Sequence, residues 1–283
     1  MSVVVDAHQH FWDPADADYP WMTDEVAPIR RPYMPWDLRP LLAEAGVDYT
    51  VVVQARSDLE ETRELLRLAA GTDFVAGVVG WVDLTRPDLG DVLAELKQGE
   101  GGDKLVGVRH QVHDEPDERW LVRDDVLRGL RSVRDAGLAY DLLVRARELP
   151  AALAAARAVD DLRLVIDHLA KPPIRSGESA EWADRLAPFA DLANVSCKIS
   201  GMVTEADWRA WRPEQLAPYA ERVWEWFGDR RCLFGSDWPV CLLAASYQEV
   251  IGACQSALGE ISDPARARVF GANAVEFYRL GVS

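Results

Sequence analysis

The sequence predicts an α/β protein that folds as a single (β/α)8 TIM barrel over residues 1–283. Amphipathic segments rich in Ala, Leu, Arg and Glu alternate with short apolar or β-branched runs, which predicts parallel strands joined by helical crossovers. The eight runs span residues 3–7, 49–54, 75–82, 105–110, 139–144, 163–168, 194–199 and 232–236. The clearest helical segments span residues 59–70, 88–97, 126–136, 148–158, 180–192 and 213–227. Eight such units predict a closed barrel. An open, doubly wound sheet is the alternative, but no Gly-rich phosphate loop follows any run.

The longest irregular stretch, residues 11–40, follows the first strand and is rich in proline and aromatic residues. Loops of this length inside a compact domain are usually functional. We therefore expect this stretch to cover the catalytic mouth of the barrel. A rigid, Pro-rich wrap over the surface is the alternative interpretation.

Composition narrows the class of protein. A net charge of −16 argues against nucleic acid and anionic membrane surfaces as partners. The four cysteines form no CxxC pair, which predicts free thiols and a reducing cytoplasm. The N-terminus lacks the pattern of a signal peptide, and no apolar run reaches membrane-spanning length. The sequence leaves open whether the chain forms a homodimer.

The densest chemical signal is the segment Asp6-Ala7-His8-Gln9-His10, which follows the apolar run Val3-Val4-Val5. Side chains two residues apart on a strand project from the same face. Two imidazoles at the end of a barrel strand can share one cation such as zinc, or bind one substrate oxygen. Two of the five histidines of the chain lie in this segment.

The other predicted strands also end in polar residues, where the active site of a barrel lies. These are Gln54, Trp81, Arg109, His110, Tyr140, Asp141, Asp167, His168, Lys171, Lys198, Asp237 and Trp238. Barrel closure places Asp237 beside His8 and His10, and His168 completes a set of three nitrogens and one oxygen that suits zinc. Asp6 is expected to orient a ligand histidine. Arg109 and His110 point to opposite faces, so only one of them enters the barrel. His113, in an acidic loop, is expected at the surface.

Three motifs together resemble the amidohydrolase superfamily, in its branch of sugar-lactone and pyrone-dicarboxylate lactonases. They are His8-Gln9-His10, Asp167-His168-Leu169-Ala170-Lys171-Pro172 and Gly235-Ser236-Asp237-Trp238-Pro239. The segment 107–110 with the acidic residues 114–117 is similar to fuconolactonase-like and rhamnonolactonase-like members. The resemblance spans nearly the whole chain and implies a distorted barrel that hydrolyses at a carbonyl or phosphoryl centre.

The resemblance also implies a ligand set. His8 and His10 match the first pair of metal ligands, His168 matches the histidine of strand six, and Asp237 matches the aspartate of strand eight. The chain departs from the two-metal pattern, because strand four offers Arg109 and His110 instead of a lysine and strand five offers Tyr140 and Asp141 instead of a histidine. At most one divalent cation, zinc by preference, is therefore expected. Since some members of this branch work without a tightly bound metal, a metal-independent enzyme stays open.

These residues predict a hydrolase that opens a small lactone. Asp237 is predicted to act as the base for water and then as the proton donor to the leaving alkoxide. His8, His10 and His168 are predicted to polarise the carbonyl or position the water. The predicted substrate-binding residues are Arg109, Tyr140, Lys198, Lys171, Gln54, Trp81 and Trp238.

A neutral aldonolactone is favoured as substrate, because few basic residues are placed to bind a pyrone dicarboxylate. Two other functions stay open: a metal-dependent non-oxidative decarboxylase of a carboxylated aromatic, and a barrel that binds sugar acids without turnover.

Overall fold

Eight parallel strands form one sheet in which each strand pairs with the next in chain order, as the sequence predicts. The computed structural model describes residues 2–282, so Met1 and Ser283 of the expected domain lie outside the described residues. The strands are β1 Val5–Gln9, β2 Tyr49–Val53, β3 Val75–Gly80, β4 Leu105–His110, β5 Ala139–Leu142, β6 Leu164–Ile166, β7 Val195–Ile199 and β8 Cys232–Phe234. Surrounding helices complete a (β/α)8 barrel.

The barrel closes between β1 and β8 through the backbone of candidate site residues. Gln9 forms an isolated parallel bridge with Trp238. The amide of His10 donates to the carbonyl of Trp238 at 2.7 Å, and the amide of Asp237 donates to the carbonyl of His8 at 2.8 Å. Closure of the barrel and assembly of the polar cluster therefore depend on the same backbone hydrogen bonds.

The helices lie between the strands and after β8. They are α1 Pro35–Ala45, α2 Leu59–Ala70, α3 Leu89–Gln98, α4 Asp124–Asp135, α5 Leu149–Ala158, α6 Ala180–Leu186, α7 Met202–Glu205, α8 Pro213–Arg231, α9 Tyr247–Ala257, α10 Asp263–Ala267 and α11 Asn273–Tyr278. Sequence signals explain α2 well. The Asp58 carboxylate caps the amide of Glu60, and Leu65, Leu66 and Ala69 form the buried face.

The structure differs from the predicted irregular stretch 11–40, because α1 begins within it at Pro35. Proline is favourable in the first turn of a helix, where its missing N–H has no partner to lose. The Asp37 carboxylate also accepts from the amide of Met34 at 2.9 Å, which fixes the start of α1. Before α1, the chain contains the 3-10 helix Asp24–Ile29 and an antiparallel bridge between Trp12 and Tyr33.

Two apolar clusters stabilise the barrel. The larger lies mainly between strands and helices, and the smaller joins strand residues such as Ala139 and Val165 to Phe277 and Tyr278 of α11. Ala139 and Val165 precede Asp141 and Asp167 by two residues, so they share the inward face of the sheet. The C-terminal helix α11 thus packs against the interior of the barrel, below the polar cluster. This helix is not among those that the sequence predicted.

All four cysteines are buried and free of disulfides, as expected. Among residues 2–282, every helix is too short or too polar to cross a lipid bilayer.

Candidate active site

Three histidine nitrogens surround one carboxylate oxygen at the carboxyl ends of β1, β6 and β8. From Asp237 Oδ1, Nε2 of His10 lies at 3.4 Å, Nε2 of His168 at 3.8 Å and Nε2 of His8 at 3.9 Å. All four side chains are buried. The structure therefore brings together the four residues that the sequence singled out as catalytic or metal-binding.

The backbone that carries these residues is strained. His168 and Asp237 have positive φ angles of 52° and 59°, as do the three residues that follow His168. The left-handed conformation is unfavourable for non-glycine residues, and such residues concentrate at functional sites. In His168 and Asp237, the strain turns the side chains toward the centre of the barrel mouth.

Two glycines provide the space that the histidines need. A Cβ at Gly235 would lie 2.6 Å from Cβ of His8, and a Cβ at Gly201 would lie 2.7 Å from Nδ1 of His168. Neither contact is sterically allowed for a side chain. Glycine at these two positions is therefore a requirement of the cluster.

The charge states of the cluster combine an ionised Asp237 with neutral His8 and His168. Burial lowers the pKa of His8 and of His168 well below the usual value, so both are neutral near pH 7. Burial acts to raise the pKa of Asp237, but the interactions of its carboxylate with His168 and His10 outweigh burial and hold this pKa below the usual value. Asp237 is therefore a carboxylate that can accept a proton.

A row of buried charges lies behind His8. Nζ of Lys198 is 2.6 Å from Oδ2 of Asp141, 2.9 Å from Oδ1 of Asp167 and 3.0 Å from Nδ1 of His8. Burial acts to raise the pKa of Asp167, but Lys198, His8 and Arg109 hold it well below the usual value. Burial raises the pKa of Asp141 to about 6. This network fixes the position of the His8 ring from behind.

Arg109 enters the barrel and His110 does not, which settles the alternative that the sequence left open. Nη1 of Arg109 is 3.1 Å from Nε2 of His8. His110 instead stacks on Trp120, with ring centroids 4.3 Å apart, and its Nδ1 accepts from Nε1 of Trp81. Alternation along β4 accounts for the two opposite directions.

The cluster opens into a cavity of about 160 Å³. Its lining residues are His10, Trp12, Trp21, Ala55, Arg109, Gln111, His113, Asp114, Leu143, His168, Lys171, Asp237 and Val240. A larger cleft of about 500 Å³ lies at the amino ends of β1 and β2, away from the polar cluster and from the end where barrels carry their active sites.

The prediction that His113 lies at the surface is wrong. Its side chain is only 15% exposed and lines the cavity, because the 3-10 helix Val112–Asp114 follows directly after β4. Burial, with the nearby Lys171, lowers the pKa of His113 to about 3, so this imidazole is neutral. Gln111 and Asp114 of the same segment also line the cavity. Their position after a barrel strand was the signal that could have identified them.

Comparison with known proteins places the chain in a family. A family model described as Amidohydrolase matches residues 5–280. The chain belongs to the amidohydrolase family. An L-fucono-1,5-lactonase of Burkholderia ambifaria is 44% identical, covering 99% of this chain and 97% of that protein. An L-fucono-1,5-lactonase of Burkholderia multivorans is 39% identical, covering 98% and 96%.

Solved structures give the same result for the fold. An amidohydrolase of Burkholderia multivorans, solved with bound HEPES and with bound zinc, has a TM-score of 0.92 and 38% identity in both forms, covering 99% of this chain and 100% of that one. A probable 2-pyrone-4,6-dicarboxylic acid hydrolase of Acinetobacter baumannii has a TM-score of 0.79 at 18% identity, covering 98% of this chain and 99% of that one, which indicates a shared fold alone.

The predicted substrate-binding residues of this amidohydrolase fall into two groups. Arg109 and Lys171 line the cavity. The other five are absent from the lining among residues 2–282: Tyr140, Lys198, Gln54 and Trp238 are buried, and Trp81 is half-buried against His110. Direct contact of these five with a substrate stays a prediction.

The donor set of this amidohydrolase fits a divalent metal ion. Two ligands of a tetrahedral ion with bonds of about 2.0–2.1 Å lie about 3.4 Å apart. The separations of 3.4–3.9 Å around Asp237 are too long for strong hydrogen bonds and close to that value. Among the described residues, His8, His168 and Asp237 offer ligand atoms that all lie within 4.8 Å of one another. His10 lies beside this set, with its Nε2 3.4 Å from Oδ1 of Asp237, and would be a third nitrogen ligand.

Proposed function

We propose that this chain hydrolyses a sugar lactone, a neutral aldonolactone of the L-fucono-1,5-lactone type. The observation that carries the proposal is the Asp237 carboxylate, buried and ionised, beside the lone pair of Nε2 of His10 in a cavity of small-molecule size. The two L-fucono-1,5-lactonases at 44% and 39% identity support the same substrate class.

The attack on the lactone begins with a water molecule between Asp237 and His10. Nδ1 of His10 lies 2.7 Å from the carbonyl oxygen of Val53, so it carries the proton and Nε2 is left as an acceptor. Water can then donate one proton toward His10 and the other toward Asp237, which points an oxygen lone pair at the substrate. As the water oxygen bonds to the lactone carbonyl carbon, Asp237 takes the proton.

Ring opening reverses the role of Asp237. The tetrahedral intermediate re-forms the carbonyl and breaks the bond to the ring oxygen, which leaves as an alkoxide. The protonated Asp237 returns its proton to this oxygen. The product is an open-chain hydroxy acid, which ionises in solution, and Asp237 is regenerated as a carboxylate. The Arg109 guanidinium, a proton donor of the cavity, stabilises the negative charge of the intermediate.

The cavity walls favour a neutral, hydroxylated ring over a dicarboxylate. The lining offers apolar surface from Trp12, Trp21 and Leu143, which suits the C–H faces of a sugar ring. The same lining offers Gln111, His113 and Asp114 for hydroxyl groups. The two cations of the lining already have carboxylate partners, since Arg109 binds Asp167 and Lys171 binds Glu205 at 2.8 Å.

A divalent cation, zinc by preference, would be held by His8, His168 and Asp237 with His10 beside them. When bound, such an ion supplies Lewis-acid polarisation of the lactone carbonyl. The free, buried cysteines are consistent with a reducing cytoplasm, which we propose as the location of the protein.

Steady-state hydrolysis of a lactone panel by the purified chain tests the proposal. The panel holds L-fucono-lactone, its epimers, an unsubstituted δ-lactone and 2-pyrone-4,6-dicarboxylate. We expect the L-fucono compound to have the highest kcat/KM, and Asp237→Asn to lower kcat by about 10²–10⁴-fold. Full activity of Asp237→Asn would remove the assigned base. Loss of CO2 from a carboxylated aromatic, with no lactone turnover, would favour the decarboxylase alternative instead.

A further inference from the structure

Arg109 occupies a position at His8 that a metal ion would need. Nη1 of Arg109 lies 3.1 Å from Nε2 of His8, the nitrogen that faces Asp237. The guanidinium is held in place, because Nη1 also donates to Oδ2 of Asp167 at 3.1 Å and Nη2 donates to the carbonyl of Gln54. Its side chain is only 4% exposed.

An imidazole nitrogen has one lone pair in the ring plane, so it serves either a hydrogen-bond donor or a metal ion. The two ring nitrogens of His8 face different groups: Nδ1 lies 3.0 Å from Nζ of Lys198 and 3.3 Å from Oδ1 of Asp167, and Nε2 faces Arg109. The Lys198 ammonium donates to Oδ2 of Asp141 at 2.6 Å and forms an ion pair with Oδ1 of Asp167 at 2.9 Å. A guanidinium has no acceptor of its own, so the approach of Arg109 to 3.1 Å uses the lone pair of Nε2. Metal coordination by Nε2 requires the same electrons.

Electrostatic repulsion also opposes metal binding at Nε2 of His8. Arg109 and Lys198 both lie within 3.1 Å of the His8 ring. A divalent cation at Nε2 would be repelled by both, and burial strengthens this repulsion because the local dielectric is low. His10 and His168 have no cation at comparable distance among the contacts of the described residues. His8 is therefore the ligand whose metal binding is opposed.

We propose that Arg109 is a built-in competitor of the metal ion: its guanidinium holds Nε2 of His8 in the metal-free state and leaves that nitrogen when a cation binds. The affinity for a cation is then set by the free energy of displacing Arg109, as well as by the ligands themselves. This inference goes beyond the proposed lactonase function, since it concerns metal affinity and holds for any substrate.

Zinc titration against a chromophoric chelator tests the proposal on the full-length protein. We expect Arg109→Met to tighten the zinc dissociation constant by at least about tenfold, because the competing donor and its charge are both removed. Lys171→Met is the matched control: it removes a cation of the same cavity that has no contact with His8, and we expect a change below about threefold. Equal tightening in both variants would overturn direct competition and leave only a general charge effect.

Arg109→Gln serves as a second variant in case Arg109→Met does not fold, because the Gln amide can still donate a hydrogen bond to Asp167. Thermal unfolding of all variants shows which are folded. A structure of the wild-type protein with zinc provides a second, independent measurement. We expect the guanidinium to lie more than about 4 Å from Nε2 of His8 when zinc is bound to that nitrogen, beyond hydrogen-bond distance. Zinc on Nε2 with Arg109 unmoved, or unchanged affinity in the folded Arg109 variants, would overturn the proposal.

Discussion

The hydrogen bond from Nδ1 of His10 to the carbonyl oxygen of Val53, at 2.7 Å, determines which nitrogen of His10 faces Asp237. A carbonyl oxygen only accepts, so Nδ1 keeps its proton and Nε2 presents a lone pair 3.4 Å from Oδ1 of Asp237. Two acceptors at that distance repel each other unless water or a cation lies near both. This pair therefore defines the place where the nucleophile is held.

His10→Gln tests this role in positioning water. The amide of Gln cannot reproduce both the bond to Val53 and an acceptor facing Asp237, so we expect kcat to fall by about 10²-fold. His110→Gln is the control, because His110 lies on the outer face of β4 against Trp120. We expect its kcat to stay within about twofold of the wild-type value, since it lies outside the cluster. Similar losses of kcat in both variants would contradict a specific role for His10.

Gly235→Ala tests the close approach of β8 to His8. The new methyl group would lie 2.6 Å from Cβ of His8, so either β1 or the His8 side chain must shift. A displacement of this size at a catalytic group costs about 10²-fold in rate, and we expect kcat to fall by that amount or more. Gly252→Ala in α9 meets no atom within 4 Å and should keep full activity with equal or higher stability. Wild-type kcat in Gly235→Ala would show that the site tolerates this displacement.

Tyr278→Phe tests the contact between the C-terminal helix and the charged row. The Tyr278 hydroxyl donates to Oδ2 of Asp141 at 2.7 Å, and Asp141 in turn binds Lys198, which contacts His8. Loss of this hydroxyl loosens the support of His8, so we expect kcat to fall about tenfold while KM changes little. Tyr219→Phe removes a hydroxyl that has no hydrogen bond among the described contacts and should change neither constant. A fall in thermal stability with unchanged kcat would limit Tyr278 to a structural role.

The sequence predicted the barrel because alternation of strand and helix is a local signal, and each of the eight runs carries it. It also predicted the cluster of Asp237 and three histidines, because all four follow barrel strands and barrel closure makes β8 the neighbour of β1. The C-terminal helix and the approach of Tyr278 to Asp141 were not predictable, since no local pattern records a contact between residues 137 positions apart.

Differences between the predicted and the observed site have physical causes as well. Lys198 and Tyr140 were predicted to bind substrate, but the structure buries Lys198 behind the cavity and places Tyr140, next to the inward-facing Asp141, on the opposite face of β5. Position along a strand identifies the inward face and not the layer of the barrel in which a side chain ends. His113 was missed because the acidic residues around it resemble a solvated loop, while the short 3-10 helix that turns it inward has no strong sequence signal.

The buried carboxyl group of Glu61 should make the free energy of unfolding depend on pH. Its carboxylate accepts from the amides of Ala55 and Arg56, at 3.1 Å and 2.8 Å, and so fixes the chain after β2. Burial raises the pKa of Glu61 from 4.5 to about 7 in the folded state. Between these two values the folded state binds the proton more tightly than the unfolded state. The free energy of unfolding therefore falls as pH rises from about 4.5 to 7.

The size of this contribution is about 3 kcal/mol, because each tenfold change in proton affinity is worth about 1.4 kcal/mol. Glu61→Gln cannot ionise, so between about pH 4.5 and 8 its free energy of unfolding should fall by about 3 kcal/mol less than that of the wild-type protein. Urea unfolding at both pH values measures the difference. Glu44→Gln, an exposed position on α1, should follow the wild-type protein. Parallel pH profiles for the wild-type protein and Glu61→Gln would show that Glu61 ionises at the same pH in both states.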